Sequence, residues 1–208
     1  GVSRILAHKP VSLGLSAVAA RWNGYYCQRF FTQSRNARMA QPGWQVHKFG
    51  GTSMGDADCF RRVADILLAD PAERQAVVVS AMSKTTDALL GLVAAAEQSL
   101  PDLASRQQAI DSRYRTTVAA LLKQQKRANE ILDIFTADMA DLGGLLHSIS
   151  LVRQAGERSR DLVAGYGELW SSRLLAAYLT ERAQTESHDR PVKWVDARDL
   201  IVVERGEM

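Results

Sequence analysis

Residues 44–56 read WQVHKFGGTSMGD, and the reading of this stretch decides the fold. Trp44 to Phe49 alternates in polarity and stops at Gly50, which predicts a short strand. Gly50 and Gly51 form a tight turn. From Asp56 to Ala69 the apolar residues Phe60, Val63, Ala64 and Leu67 recur at spacings of three and four, the pattern of an amphipathic helix, and Pro71 ends it. A strand that passes through glycines into a helix can cradle phosphate. The glycines let an anion approach backbone N–H groups, and a helix N-terminus adds unpaired donors and partial positive charge. Lys48 brings a full positive charge, and Thr52 and Ser53 can bond phosphate or cap the helix. The same residues also suit an ordinary strand-to-helix turn with hydroxyl caps. The order differs from the P-loop, in which the lysine follows the second glycine.

The next elements repeat the pattern. Gln75 to Ala81 contains the apolar run AVVV, typical of a parallel strand buried on both faces. Thr85 to Gln98 then places Leu89, Leu92, Val93 and Ala96 on one helical face. Strand, helix, strand, helix predicts an α/β fold with a mainly parallel sheet. In such a sheet the loops at the carboxyl ends of the strands share one edge, where ligands bind. Lys48 and the hydroxyls Ser80 and Thr86 of SAMSKTTD (residues 80–87) are therefore expected near one another. Singly, Ser80 and Thr86 are also good helix caps. A third stretch, GYGELWS (residues 165–171), puts Glu168 at the start of a largely apolar helix expected over 161–181. There it either stabilises the helix end or binds a cationic group. Residues 102–148 show only helical spacing and read as an insertion of two or three helices, with a break or kink at Gly143-Gly144. Ser148–Leu151 is ambiguous. Val192–Asp196 and Leu200–Val203 read as further strands.

Composition narrows the function classes. The chain has 208 residues, 46% of them apolar and 24% charged, ordinary for a globular protein. Its net charge of +3 is concentrated at the start, since no acidic residue precedes Asp56. No basic stripe runs through the folded part, which argues against nucleic-acid binding. No apolar run is long enough to cross a bilayer. Two separated cysteines, Cys27 and Cys59, give neither a disulfide framework nor a metal site, and fit a reducing compartment such as the cytoplasm. Residues 1–43 are rich in arginine and serine and free of acids. They read as a flexible upstream extension or as a transit peptide to plastid or mitochondrion, and are set outside the fold. The chain begins with glycine and reads as a fragment open at one or both ends.

In order and approximate spacing, KFGGTS, VVVSAMSKTTDALL, GYGELWSSRLL and WVDARD resemble the N-terminal part of aspartate kinases, in the amino-acid kinase superfamily. The resemblance covers roughly residues 44–208. The long helical stretch is similar to that of bifunctional members that carry homoserine dehydrogenase or diaminopimelate decarboxylase further along. The resemblance implies a three-layer αβα fold, incomplete at its C-terminal end, because no GRGGSD-like segment occurs. It implies transfer of the ATP γ-phosphoryl group to the β-carboxylate of L-aspartate, with Mg²⁺, in a homo-oligomer when full-length. It implies that Lys48 contacts the transferring group, that Gly50, Gly51, Thr52 and Ser53 hold phosphate, and that Ser80, Thr86 and Glu168 bind aspartate. Alternatives are another superfamily member, such as one acting on acetylglutamate, and a non-catalytic piece that only binds ligand or partner.

Overall fold

The computed structural model describes Leu15–Ala19 and residues 43–186 and 190–201. Four parallel strands form one sheet in the order β2-β3-β1-β4: β1 is Leu15–Ala19, β2 Trp44–Phe49, β3 Arg74–Val79 and β4 Val192–Asp196. Five helices accompany it: α1 Ala57–Ala69, α2 Thr85–Glu97, α3 Leu103–Leu121, α4 Gln125–Val152 and α5 Glu157–Thr185. This is an α/β fold with a helical insertion, α3–α4, as expected. Burial alternates along β3, where Gln75, Val77 and Val79 are buried and Arg74, Ala76 and Val78 are half-buried. One face of β3 is therefore the more deeply covered, with Val77 and Val79 in the main core, while Trp44 and Val46 of β2 stay 43% and 57% exposed.

The backbone of Leu15–Ala19 differs from the sequence reading, which leaves residues 1–43 outside the fold. Ser16 pairs with Ala76 on one side and Lys193 on the other, so this short piece is an interior strand. A parallel sheet needs a partner at each interior edge, and the backbone supplies one whatever the composition around it. The rest of residues 1–42 lies outside the described residues. The strand expected over Leu200–Val203 is absent from Leu200 and Ile201, which follow a 3₁₀ turn over Ala197–Asp199. Val202 and Val203 lie outside the described residues.

Local chemistry explains the helix ends. Asp56 caps α1 by accepting from the Cys59 N–H at 2.9 Å, the usual N-cap geometry. Buried Gln75 closes its other end, with Nε2 donating to the Leu67 and Asp70 carbonyls. Glu181 of α5 accepts from the N–H groups of Lys123 and Gln124 at 2.7 and 3.1 Å, satisfying donors at the start of α4. Helix α4 runs unbroken through Gly143-Gly144, where a break or kink is expected, so the break is absent. Each glycine costs about 1 kcal/mol relative to alanine. Burial of Leu142, Leu146 and Ile149 on its inner face outweighs that cost.

The insertion is keyed to α5 by an aromatic cluster. Tyr114 of α3 stacks on Phe135 of α4 at 4.2 Å between ring centroids, and Phe135 meets Trp170 of α5 edge-on at 4.8 Å. The Tyr114 hydroxyl donates to the Trp170 carbonyl, and burial holds it protonated well above its ordinary range. The Trp170 indole N–H and the Arg173 guanidinium both donate to Asp138 of α4.

A carboxylate makes the start of α5 sensitive to pH. Glu97, the last residue of α2, accepts from the Ala155 N–H at 2.8 Å and pairs with Arg160. These donors, the backbone N–H first, hold its carboxyl below the ordinary glutamate value of 4.5. A group with a depressed folded pKa binds fewer protons folded than unfolded at intermediate pH. Its contribution to stability is complete above pH 4.5 and is lost as pH falls through the folded value. Glu97→Gln is therefore expected to flatten the acid limb of the stability profile below that pH. Urea unfolding between pH 3 and 7 checks this; an unchanged acid limb would count against the assignment.

Candidate functional site

The loops that leave β2 and β3 meet at one end of the sheet. Register places Phe49 beside Val79, so the two strands end level. The Ser80 N–H donates to the Phe49 carbonyl at 3.0 Å, which extends the ladder one step into the loops. Gly51 lies so close to the second loop that an added Cβ would stand 3.3 Å from the Ala81 carbonyl oxygen and 3.9 Å from the Ser80 Oγ. A glycine here permits the approach, because a side chain would push the loops apart.

Beyond Gly50 the first loop makes one 3₁₀ turn, Gly51–Met54, before α1 begins. The Ser53 N–H donates to the Gly50 carbonyl, and buried Met54 pins the turn to the core. Thr52 and Ser53 are exposed. Neither caps α1, because Asp56 fills that place. Lys48 is exposed on β2, and its Nζ lies 3.6 Å from where a Gly50 Cβ would be. The ammonium thus curls over the glycine turn. A strand end, a glycine turn and a lysine folded across it leave room for an anion, with the charge that favours one.

The second loop spans Ser80 to Lys84 and opens into α2, with Ser80 and Thr86 half-buried. Lys84 caps α2 at φ 63°, a left-handed conformation that costs a non-glycine residue about 1–2 kcal/mol. Helix α5 supports this loop from beneath. Glu168 and Ser171, 3% and 0% exposed, face the loop from one side of the helix. The Ala81 N–H donates to Glu168 Oε1 at 3.4 Å, and the Met82 N–H donates to Ser171 Oγ at 3.0 Å. Gly167 lets α5 come this close: a Cβ there would stand 2.8 Å from the Ala81 Cβ. A cavity of about 360 Å³ opens beside the loop between α2, α3 and α5, lined by Met82, Thr85, Ile110, Arg113, Tyr114 and Trp170.

The sequence-derived residues therefore converge. Lys48, Gly50, Gly51 and Ser80 share the sheet edge, Thr86 sits in the first turn of α2, and Glu168 lies beneath Ala81. Glu168 is in the interior of α5, which begins at Glu157, so stabilisation of a helix start does not explain it. Ser171 and Gly167, which the sequence does not single out, complete this contact. Ser171 is legible in hindsight, since residues three apart share a helix face. Gly167 carries no signal without its neighbour. Among the described residues, no group of three His, Cys, Asp or Glu side chains can hold a metal ion, and no helix is long and apolar enough to cross a membrane.

Comparison with known proteins gives a consistent picture. Residues 43–202 match the amino acid kinase family. The chain is 39% identical over 160 residues to the bifunctional aspartokinase/homoserine dehydrogenase 1, chloroplastic, of Zea mays, covering 77% of the chain and 17% of that protein. It is 30% identical over 170 residues to the bifunctional aspartokinase/homoserine dehydrogenase 2 of Escherichia coli, covering 82% of the chain and 20% of that protein. The chain thus spans about a fifth of these relatives. Among solved structures, E. coli aspartokinase III in complex with aspartate and ADP superposes with a TM-score of 0.57 at 30% identity, over 66% of this chain and 29% of that one.

Proposed function

This chain belongs to the amino acid kinase family, and from that premise we propose that it carries the acceptor-binding part of an aspartate kinase. The observation that carries the proposal is the meeting of the KFGGTS loop, the SAMSKTT loop and Glu168 at one sheet end. The relatives' names and the aspartate and ADP bound by the aspartokinase III structure support it. The product, 4-phospho-L-aspartate, would feed lysine, threonine and methionine synthesis. The acid-free N-terminal composition and the chloroplast relative support delivery to a plastid.

The chemistry follows from charge. An oxygen of the aspartate β-carboxylate attacks the γ-phosphorus of ATP. The new O–P bond forms as the bond to the β,γ-bridging oxygen breaks, and ADP leaves. The carboxylate is already ionised at neutral pH, so no base is needed. The obstacle is the meeting of two anions, and alignment with neutralisation supplies most of the catalysis. Lys48 places its ammonium over the turn where the transferring group would lie. The Gly50 and Gly51 amides approach its oxygens. Ser80 and Thr86 hydroxyls orient the acceptor, and the Glu168 carboxylate draws its ammonium group. Among the described residues no group of three carboxylate, imidazole or thiol side chains forms a dedicated cage for Mg²⁺. The ion would arrive on the ATP phosphates, since Mg²⁺ in such sites is usually held by substrate phosphates and water with only one or two carboxylates.

The test traps the acyl phosphate made from L-aspartate and Mg-ATP with hydroxylamine, in the full-length polypeptide that carries this segment. Hydroxamate formed from aspartate and not from acetylglutamate supports the reading; none from aspartate overturns it. Within the active enzyme, Glu168→Ala is expected to raise the apparent KM for aspartate by about tenfold or more while leaving that for ATP nearly unchanged. Equal changes in both would remove Glu168 from the acceptor site.

A further inference from the structure

Helix α3 belongs to the insertion, not to the sheet edge, yet one of its side chains touches both loops. Arg113 Nη1 donates to the Ser83 carbonyl at 2.7 Å, and its Nη2 donates to the Gly55 carbonyl at 2.9 Å. Gly55 ends the 3₁₀ turn of the first loop, and Ser83 precedes Lys84 in the second. The loops approach each other there as well: a Cβ on Gly55 would stand 3.8 Å from the Ser83 Cβ. We propose that Arg113 is a positioning residue, a two-pronged brace that holds the KFGGTS loop and the SAMSKTT loop in the relative placement that phosphoryl transfer needs. The proposal rests on the aspartate kinase reading of the site.

Three features make the brace necessary. The first is the fork itself. A guanidinium presents parallel N–H donors in one rigid plane, so two carbonyls bound to it are fixed relative to one another; an ammonium cannot do this. The second is the conformation of Lys84. The peptide plane between Ser83 and Lys84 carries the carbonyl that Arg113 holds, and its orientation sets the φ of 63° at Lys84. A left-handed non-glycine residue persists only where its surroundings over-determine it. Thr86 follows two residues later, so release of this plane would shift a proposed acceptor-binding hydroxyl. The third is the cavity of about 360 Å³ beside Met82 and Thr85. Met82 and Thr85 are themselves buried, but the loop is not packed on that side by α3, so the Arg113 hydrogen bonds are what tie it to the insertion. Arg113 also roots the brace, because its neighbour Tyr114 is locked into the aromatic cluster.

Arg113 touches neither phosphate nor aspartate in this scheme. Its loss should therefore act on alignment, which lowers kcat, more than on affinity. Misplacing reacting groups by about 1 Å costs up to about a hundredfold in rate. In the full-length enzyme, Arg113→Ala is expected to lower kcat between about tenfold and about a hundredfold, with KM for aspartate and ATP each changing less than about threefold. Guanidinium ion at millimolar concentration should recover part of the lost kcat, and Arg113→Lys should recover less than the free ion does. In the 208-residue chain, hydrogen exchange of the amides at residues 52–55 and 83–86 should quicken in Arg113→Ala, with the α5 amides unchanged.

The outcomes separate the two readings. If the unaltered enzyme makes no aspartyl phosphate, the functional reading fails, and the exchange data still decide whether Arg113 braces the loops. If the unaltered enzyme is active and Arg113→Ala keeps its kcat, the positioning role is overturned. A loss of kcat that guanidinium does not relieve, with exchange raised throughout α3 and α5, would show general destabilisation and would also overturn it.

Discussion

Lys48→Ala is expected to lower the rate of phosphoryl transfer by about a thousandfold or more, with stability within about 0.5 kcal/mol of the parent. Both halves of that expectation come from where the side chain lies. Lys48 is exposed, and what packing β2 makes comes from the adjacent, half-buried His47 and Phe49, so the core does not depend on it. Its Nζ hangs over the Gly50 turn, beside the space that a Gly50 side chain would take. Charge placed where a transferring phosphoryl group spreads its own charge acts mainly in the transition state. Lys48→Arg keeps the charge but replaces a compact ammonium with a wide fork, and should recover little of the rate. Single-turnover measurement of acyl phosphate formation, alongside thermal unfolding, checks both halves. Turnover within a few fold of the parent would remove Lys48 from the chemistry.

Gly167→Val should be as damaging by another route. The Cβ alone would stand 2.8 Å from the Ala81 Cβ and 3.4 Å from Thr85 Cγ2. The Ala81 methyl is fixed to the loop backbone, so relief requires the loop or α5 to move. Overpacking of this kind costs about 1–3 kcal/mol. The displacement would also stretch the bonds from the Ala81 and Met82 N–H groups to Glu168 and Ser171, so activity should fall further than stability. Gly165→Ala is the matched control. It lies two residues earlier in the same helix, with no atom within 4 Å of an added Cβ. Alanine suits a helix interior better by about 0.8–1.0 kcal/mol, so that variant should be slightly more stable. Urea denaturation of the pair checks the contrast; equal effects at both sites would contradict the close approach of α5.

The contrast shows where sequence is readable. The strand and turn of WQVHKFGG are legible because alternation, glycine and the Asp56 cap all act locally. The long run of α4 is not, because Gly143-Gly144 is locally unfavourable and only the burial of Leu142 and Leu146 against other elements overrides it. The site follows the same division. Lys48, Ser80 and Thr86 could be placed together from the rule that parallel strands share a carboxyl edge. Glu168 could be named, but its interior position in α5 could not, because the start of that helix at Glu157 has no side-chain cap to mark it. Ser171, Gly167 and Arg113 act only through residues far away in the chain.

The place of β1 has a consequence in time. Its residues lie between β3 and β4, and both neighbours follow it in the chain, β4 at a long distance. During synthesis β1 therefore emerges before either strand it pairs with. Local pairs such as β2 and β3, joined through α1, close a short loop; the link from β1 to β4 closes a long one. Such non-local parallel pairing is slow. Until it forms, β3 offers an open edge to other chains.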